Sequence, residues 1–170
     1  MIYMRDILMR VDNMETNLKV YCEAVIEVRN EETGEIETYR QRNLVTDYGL
    51  TKILQSVTGI DTTIISRCAI GTGSTPTDWS DVLLDNQDGS RKQRVETEMV
   101  TSFGGGAAGK KVWIKTFFNR TEHNVVWREM GMFTAGIGAN CCSRIVLTTP
   151  INKTSDYTIT VTWSYIIVSS

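Results

Sequence analysis

The stretch Asp156-Tyr157-Thr158-Ile159-Thr160-Val161-Thr162-Trp163-Ser164-Tyr165-Ile166-Ile167-Val168-Ser169 decides the fold. Tyr157, Ile159, Val161, Trp163, Tyr165 and Ile167 share one face of an extended chain, and Thr158, Thr160, Thr162 and Ser164 share the other, because successive strand side chains point to opposite sides. A helix would scatter both sets. At about 3.3 Å per residue this strand spans roughly 40 Å, longer than most, and its β-branched and aromatic residues are expected to organise a whole sheet.

Working outward, Lys19 to Arg29 alternates loosely around Val20, Cys22, Ala24, Ile26 and Val28. Asn30-Glu31-Glu32-Thr33-Gly34 then turns the chain into Ile36 to Arg42, a hairpin with a charged tip. The period changes at Leu50, Ile53, Leu54 and Val57, which predicts one helix, about Asp47 to Ser56, capped by Thr46 or Asp47. Ile64 to Ile70 reads as a strand broken by Gly71-Thr72-Gly73-Ser74-Thr75-Pro76. Thr77 to Ser90 reads as a long surface connection anchored by Trp79, Val82, Leu83 and Leu84.

Arg94 to Thr101 and Lys111 to Phe118 form a second predicted hairpin around the glycine-rich tip 102–109. Val125 to Thr134 and Ser143 to Leu147 follow as strands on either side of a Gly136-Ile137-Gly138 turn, and Pro150 separates the latter from the terminal strand. The opening stretch, Met1 to Asn17, shows little alternation. The expectation is an all-β fold with one short helix, an antiparallel, jelly-roll-like β-sandwich: an arm or short helix over residues 1–18, then a single sandwich domain over 19–170.

With 170 residues, 41% of them hydrophobic, the chain can bury a substantial core without disulfides or metal. Its 18 basic residues against 20 acidic ones leave a net charge of -2, which provides no basic field for holding a nucleic-acid backbone. No apolar run approaches the roughly 20 residues that span a bilayer, and Met1 to Asp6 lacks a signal-peptide pattern. These features point to a chain folded in a cytoplasm, with neither nucleic acid nor membrane as partner. Cys22, Cys68, Cys141 and Cys142 are expected to stay free as small buried hydrophobes. Adjacent Cys141 and Cys142 fall on opposite faces of a strand, and His123 is the single histidine, so no metal site is expected.

Gly71-x-Gly73 follows a strand as a phosphate loop would, but no Gly-Lys-Ser/Thr completes it, which leaves a turn that lets the chain quit the sheet. Asp78, Asp81, Asp85 and Asp88 miss the EF-hand order and read as solvated turn residues. Glu122-His123 lacks a neighbouring nucleophile, so His123 reads as an exposed, inert loop residue. Asn119-Arg120-Thr121 and Asn152-Lys153-Thr154 match the glycosylation pattern, which matters only on secretion. Glu129 differs, because it sits inside the apolar run Trp127 to Phe133, where an unpaired carboxylate is costly; Arg91, Arg94 or Arg144 is the expected partner. A glycan hydrolase would need Asp81 or Asp85 roughly 5 to 9 Å from Glu129, a juxtaposition that linear order does not give. The expectation is no catalytic, cofactor or metal site.

The order of short motifs carries a resemblance. Asn43-Leu44-Val45-Thr46-Asp47-Tyr48-Gly49-Leu50 precedes Ala69-Ile70-Gly71-Thr72-Gly73-Ser74-Thr75-Pro76. Arg128-Glu129-Met130-Gly131-Met132-Phe133 and Ser143-Arg144-Ile145-Val146-Leu147 then lead to the terminal strand. This order resembles virion proteins of tailed bacteriophages over about residues 43–170. The resemblance implies a small β-sandwich module of the tail, fibre-attachment or collar region, assembled in the host cytoplasm into a trimer or ring with other tail or portal-proximal proteins, without chemistry. Lacking a repeated shaft, collagen-like triplets or heptads, the chain fits an adaptor, ring, cap or decoration subunit better than a whole fibre. The alternative is a receptor- or carbohydrate-binding tip, suggested by four Trp and six Tyr.

Overall fold

The computed structural model describes residues 5–11, 14–100, 109–135 and 139–169. The strands are β1 (Arg5–Val11), β2 (Met14–Asn30), β3 (Ile36–Val45), β4 (Ile65–Gly71), β5 (Gln87–Gln93), β6 (Glu96–Val100), β7 (Gly109–Phe118), β8 (Val126–Thr134), β9 (Cys141–Asn152) and β10 (Tyr157–Ser169). One helix, α1 (Asp47–Thr58), interrupts them. All ladders are antiparallel, and nine strands run in the order β5-β4-β8-β9-β3-β2-β10-β7-β6, with β1 added on β2. The all-β class with a single helix is as the sequence predicts.

β10 is the spine of one half of the sheet, pairing along its length with β2 and β7. Trp163 lies between Ala24 and Ile114 in register, and the small Ala24 side chain leaves room for an indole that is 0% exposed. Cys22, Ala24, Ile26 and Val28 of β2 and Ile159, Val161 and Tyr165 of β10 face Cys68, Ile70, Trp127, Met130, Ile145 and Leu147 of the other half across one buried cluster. The two packed layers are thus the two ends of one curled ribbon rather than independent sheets.

β3 makes the first passage between the halves. Its early part pairs with β2, and only Leu44 and Val45 pair with β9, opposite Arg144 and Ser143. Where β3 and β9 diverge, the Gln41 amide replaces the ladder, donating to Val146 O at 2.8 Å and accepting from Thr148 N at 2.9 Å. The second passage lies at the far ends of the ribbon. Arg94 N donates to Ser66 O of β4 and Val95 N donates to Lys115 O of β7, both at 2.8 Å, so two consecutive residues tie opposite layers.

Several expectations need correction. The N-terminal segment is not helical where it is described: Arg5–Val11 is the strand β1, and β2 starts at Met14. Pro150 does not end a strand; β9 continues through it to Asn152, and Pro150 lies in the bulge where the β8–β9 register shifts between Trp127 and Glu129. Part of the expected long connection is β5. Ile166, on the face of β10 opposite Trp163, is also buried within the chain. The predicted tip at 102–108 and the Gly136-Ile137-Gly138 turn lie outside the described residues. Among the described residues, no helix is long and apolar enough to cross a membrane.

Candidate functional site

β8, β9 and the connection from β4 to β5 meet at Glu129, a 0% exposed side chain in the middle of β8. Both of its oxygens are fully engaged. Oε1 accepts from Gly73 N at 3.2 Å and Asn86 N at 2.7 Å, and Oε2 accepts from Asp85 N at 3.0 Å. Oε2 also accepts from Nε and Nη2 of Arg144 at 3.0 and 2.8 Å. Of the three arginines expected as partner, Arg144 is the one present. Its register explains why: Arg144 of β9 lies opposite Gly131 of β8, two residues from Glu129 and on the same face.

Arg144 is itself 2% exposed, and its remaining donors hold the connection down. Nη1 donates to Asp81 Oδ2 at 2.8 Å and Nη2 to Thr75 O at 3.0 Å. Burial pulls the guanidinium pKa down, but the hydrogen bonds to Asp81 and Glu129 outweigh it and hold the group above its ordinary value. A buried pair is tolerable only when its other donors and acceptors are satisfied, and here each end reaches backbone as well as charge.

The same carboxylate explains the Gly71-x-Gly73 pair. A Cβ on Gly71 would lie 2.5 Å from Glu129 Oε1 and 2.7 Å from Asn86 O, and one on Gly73 would lie 2.5 Å from both Asp85 Cβ and Glu129 Oε1. The turn does release the chain from β4, as read from sequence, but its glycines exist to let backbone reach a buried acid. The long connection is therefore stapled instead of loose: Thr72 N donates to Asn86 O, and Leu84 packs with Ala69, Phe133 and Cys141.

The first motif arrives from the other side. Thr46 caps α1 by accepting from Gly49 N at 3.1 Å, and its hydroxyl donates to Cys141 O. Gly49 presses on β9 so closely that a Cβ there would sit 1.9 Å from Cys142 O. At the next residue of β9, Ser143 Oγ and Tyr165 OH hydrogen-bond at 2.7 Å.

The four aspartates form no cluster. Asp78 accepts from Ser80 N and Oγ, Asp81 pairs with Arg144, Asp85 accepts from Thr75 Oγ1 at 2.8 Å, and Asp88 meets His123 Nδ1 at 2.8 Å. Hydrogen bonds from Ser80 and Thr75 hold Asp78 and Asp85 below the ordinary carboxylate range. His123 departs from expectation: its side chain is only 10% exposed, and its ring stacks edge-on against Phe118. Its carbonyl accepts from Trp127 Nε1 at 2.9 Å. Arg91 sits over the Phe133 ring and donates to Ala139 O, and Arg94 contributes the crossing backbone bond.

All four cysteines are free and buried. Burial pushes the Cys68 and Cys142 thiols up to about 12, and Cys22 and Cys141 further still. Among the described residues, no group of three or more His, Cys, Asp or Glu side chains could hold a metal ion. On the outer face of the β2–β10–β7 half, a groove of about 490 Å³ is lined by Glu27, Arg29, Glu31, Ile36, Phe117, Thr158 and Thr160.

Linear order pointed to Glu129 and to Arg144 as one of three partners, but missed Asp81 and the amides of Gly73, Asp85 and Asn86. The usable signal was the glycine pair itself, since two glycines after a strand can mark a close approach to a buried acceptor. No family model, no curated protein and no solved structure matches the chain.

Proposed function

We propose that the chain is a non-enzymatic structural subunit of a tailed-bacteriophage virion, from the tail, collar or fibre-attachment region, acting through contacts between symmetric copies and with neighbouring tail proteins. The observation that supports this reading is the convergence on Glu129 and β9 of every motif on which the resemblance rests. Gly71 and Gly73, Glu129 and Arg144 form one buried lock, and Thr46 and Gly49 seat α1 on the first residues of β9. These motifs hold a loop and a helix on a sheet. A carboxylate with five donors and no exposure is poorly placed to move a proton, which counts against Glu129 as an acid or base. Purification of particles from an infected host tests the reading. The chain should appear in stoichiometric amounts and map by cryo-electron microscopy to the tail or collar; its absence from purified particles would overturn it.

The groove beside Phe117 favours a second reading, a carbohydrate-binding tip. Phe117 is 39% exposed and can offer an apolar ring to a sugar, while Glu27, Arg29 and Thr160 line the same groove with groups that hydrogen-bond hydroxyls. Titration with host-surface oligosaccharides, followed by NMR, separates the two. Shifts confined to Phe117 and Thr160 and lost in Phe117→Ala would support the tip; an unresponsive groove would remove it.

A further inference from the structure

Two arginines share one face where β4, β5 and β8 lie side by side, with no acid between them. Arg67 of β4 stands directly opposite Phe133 of β8 and Gln93 of β5, so its side chain leaves the sheet on the Phe133 side, away from the core residues Cys68 and Met132. Arg91 of β5 reaches the same side. Its guanidinium carbon lies 3.6 Å from the centre of the Phe133 ring.

Both arginines are half-buried. Burial pulls the Arg91 guanidinium below its ordinary pKa, and repulsion from Arg67 acts in the same direction. Like charges on neighbouring strands are destabilising, and a cation drawn out of water needs a partner. Arg144, Lys52, Lys92 and Lys111, also withdrawn from solvent, each meet a carboxylate. Among the described residues, no Asp or Glu forms an ion pair with Arg67 or Arg91.

Their donors are unspent as well. A guanidinium carries five N–H donors in a planar fork. Arg91 gives Nε to Gln87 Oε1 at 3.2 Å and Nη1 to Ala139 O at 2.7 Å, which fixes its fork against Phe133 and leaves Nη2 over. The Arg67 guanidinium gives no donor to a described residue. One fork is thus held in place and its neighbour can turn towards it.

We propose that Arg67 and Arg91 form an anion-binding site whose ligand is a small oxyanion, a phosphate or a carboxylate, held between the two guanidinium forks. Two oxygens of such a group match the edge of a guanidinium, and its negative charge replaces one repulsion by two attractions. The preset Arg91 fork lowers the ordering cost of binding. The site goes beyond the assembly reading and does not depend on it.

The test follows the arginine Nε–H signals of the isotope-labelled full chain by NMR while sodium phosphate or sodium acetate is added, with sodium chloride at equal ionic strength as reference. Arg67→Gln assigns one signal by its loss, and the ring-current shift from Phe133 marks Arg91. Phosphate, acetate or both should move these two signals to saturation at millimolar concentrations and leave that of the exposed Arg128 in place. Arg67→Gln should weaken binding at least ~10-fold, and Arg67→Lys should restore only part of it, because an ammonium has no fork. A response to phosphate alone identifies a free phosphate or phosphate ester as the ligand, and a response to acetate alone identifies a carboxylate such as an acidic side chain. Melting separates a site from a structural pair. In chloride Arg67→Gln should melt no lower than the unaltered chain, since it removes a repulsion, and it should lose the rise in melting temperature that the bound oxyanion gives the unaltered chain. Should Arg67→Gln fail to fold, the Arg91 signal of the unaltered chain still decides. No response beyond that to chloride, an equal response in Arg67→Gln, or a lower melt of that variant in chloride would overturn the site.

Discussion

Arg144 donates to one oxygen of Glu129 through both Nε and Nη2, at 3.0 and 2.8 Å, and the other Glu129 oxygen is left to the amides of Gly73 and Asn86. One acid therefore joins two strands and a loop. Arg144→Met should destabilise the fold by about 3 to 5 kcal/mol, because Glu129 would be left buried without its charge partner. Glu129→Leu combined with Arg144→Met should cost less than the sum of the two single changes, with a residue from the orphaned amides of Gly73, Asp85 and Asn86. Urea denaturation of the four forms measures this, and strict additivity would show that the pair is not a unit.

Gly49→Ala and Gly73→Ala should each lower stability by about 1 to 3 kcal/mol or more, since a methyl group at either position meets backbone or the buried acid. Gly34→Ala meets nothing within 4 Å and bears only the strain of φ 75°, about 1 kcal/mol. Thermal melts of the three variants rank them, and Gly34→Ala as the worst would contradict the packing described.

Val161→Lys should abolish soluble folding. Val161 lies between Ile26 and Thr116 in register, is 1% exposed, and faces the opposite layer, so an ammonium there has neither water nor a partner. Wild-type-like melting would show that β10 does not present this face to the core.

The thiols should resist an aromatic disulfide reagent at pH 8 in the native state and react fully in denaturant, because burial holds all four in the protonated form. Rapid labelling of the folded chain would indicate that one of them is accessible.

Stability should fall on acidification below about pH 4.5. The hydrogen bond from Lys52 holds Asp61 low; burial pushes Glu122 up, but hydrogen bonds from Lys92 and Asn119 N more than offset it. Asp78 and Asp85 are held down in the same way by Ser80 and Thr75. Each folded-state pKa lies below the unfolded value, so the contribution is present above the unfolded pKa and is lost as pH falls through the folded one. Melting temperatures from pH 7 down to pH 3 check the sign; a rise over that interval would contradict it.

Alternation by itself determined β10, the β2–β3 and β6–β7 hairpins and the class of the fold, because a period of two is a local property that no tertiary contact has to supply. The helix was equally local, with Thr46 at its cap and a 3.6-residue period behind it. Glu129 was recognisable as a buried acid from its apolar neighbours alone. β1 escaped notice because its alternation is broken by Leu8, and an edge ribbon needs no clean pattern to pair. Only the tertiary structure decided which arginine answers Glu129, why Gly71 and Gly73 must lack a Cβ, and that Asp81 closes the lock. Each depends on the antiparallel register that sets Arg144 opposite Gly131, or on a loop folding back over β8 through contacts between residues more than forty positions apart, neither of which linear spacing encodes.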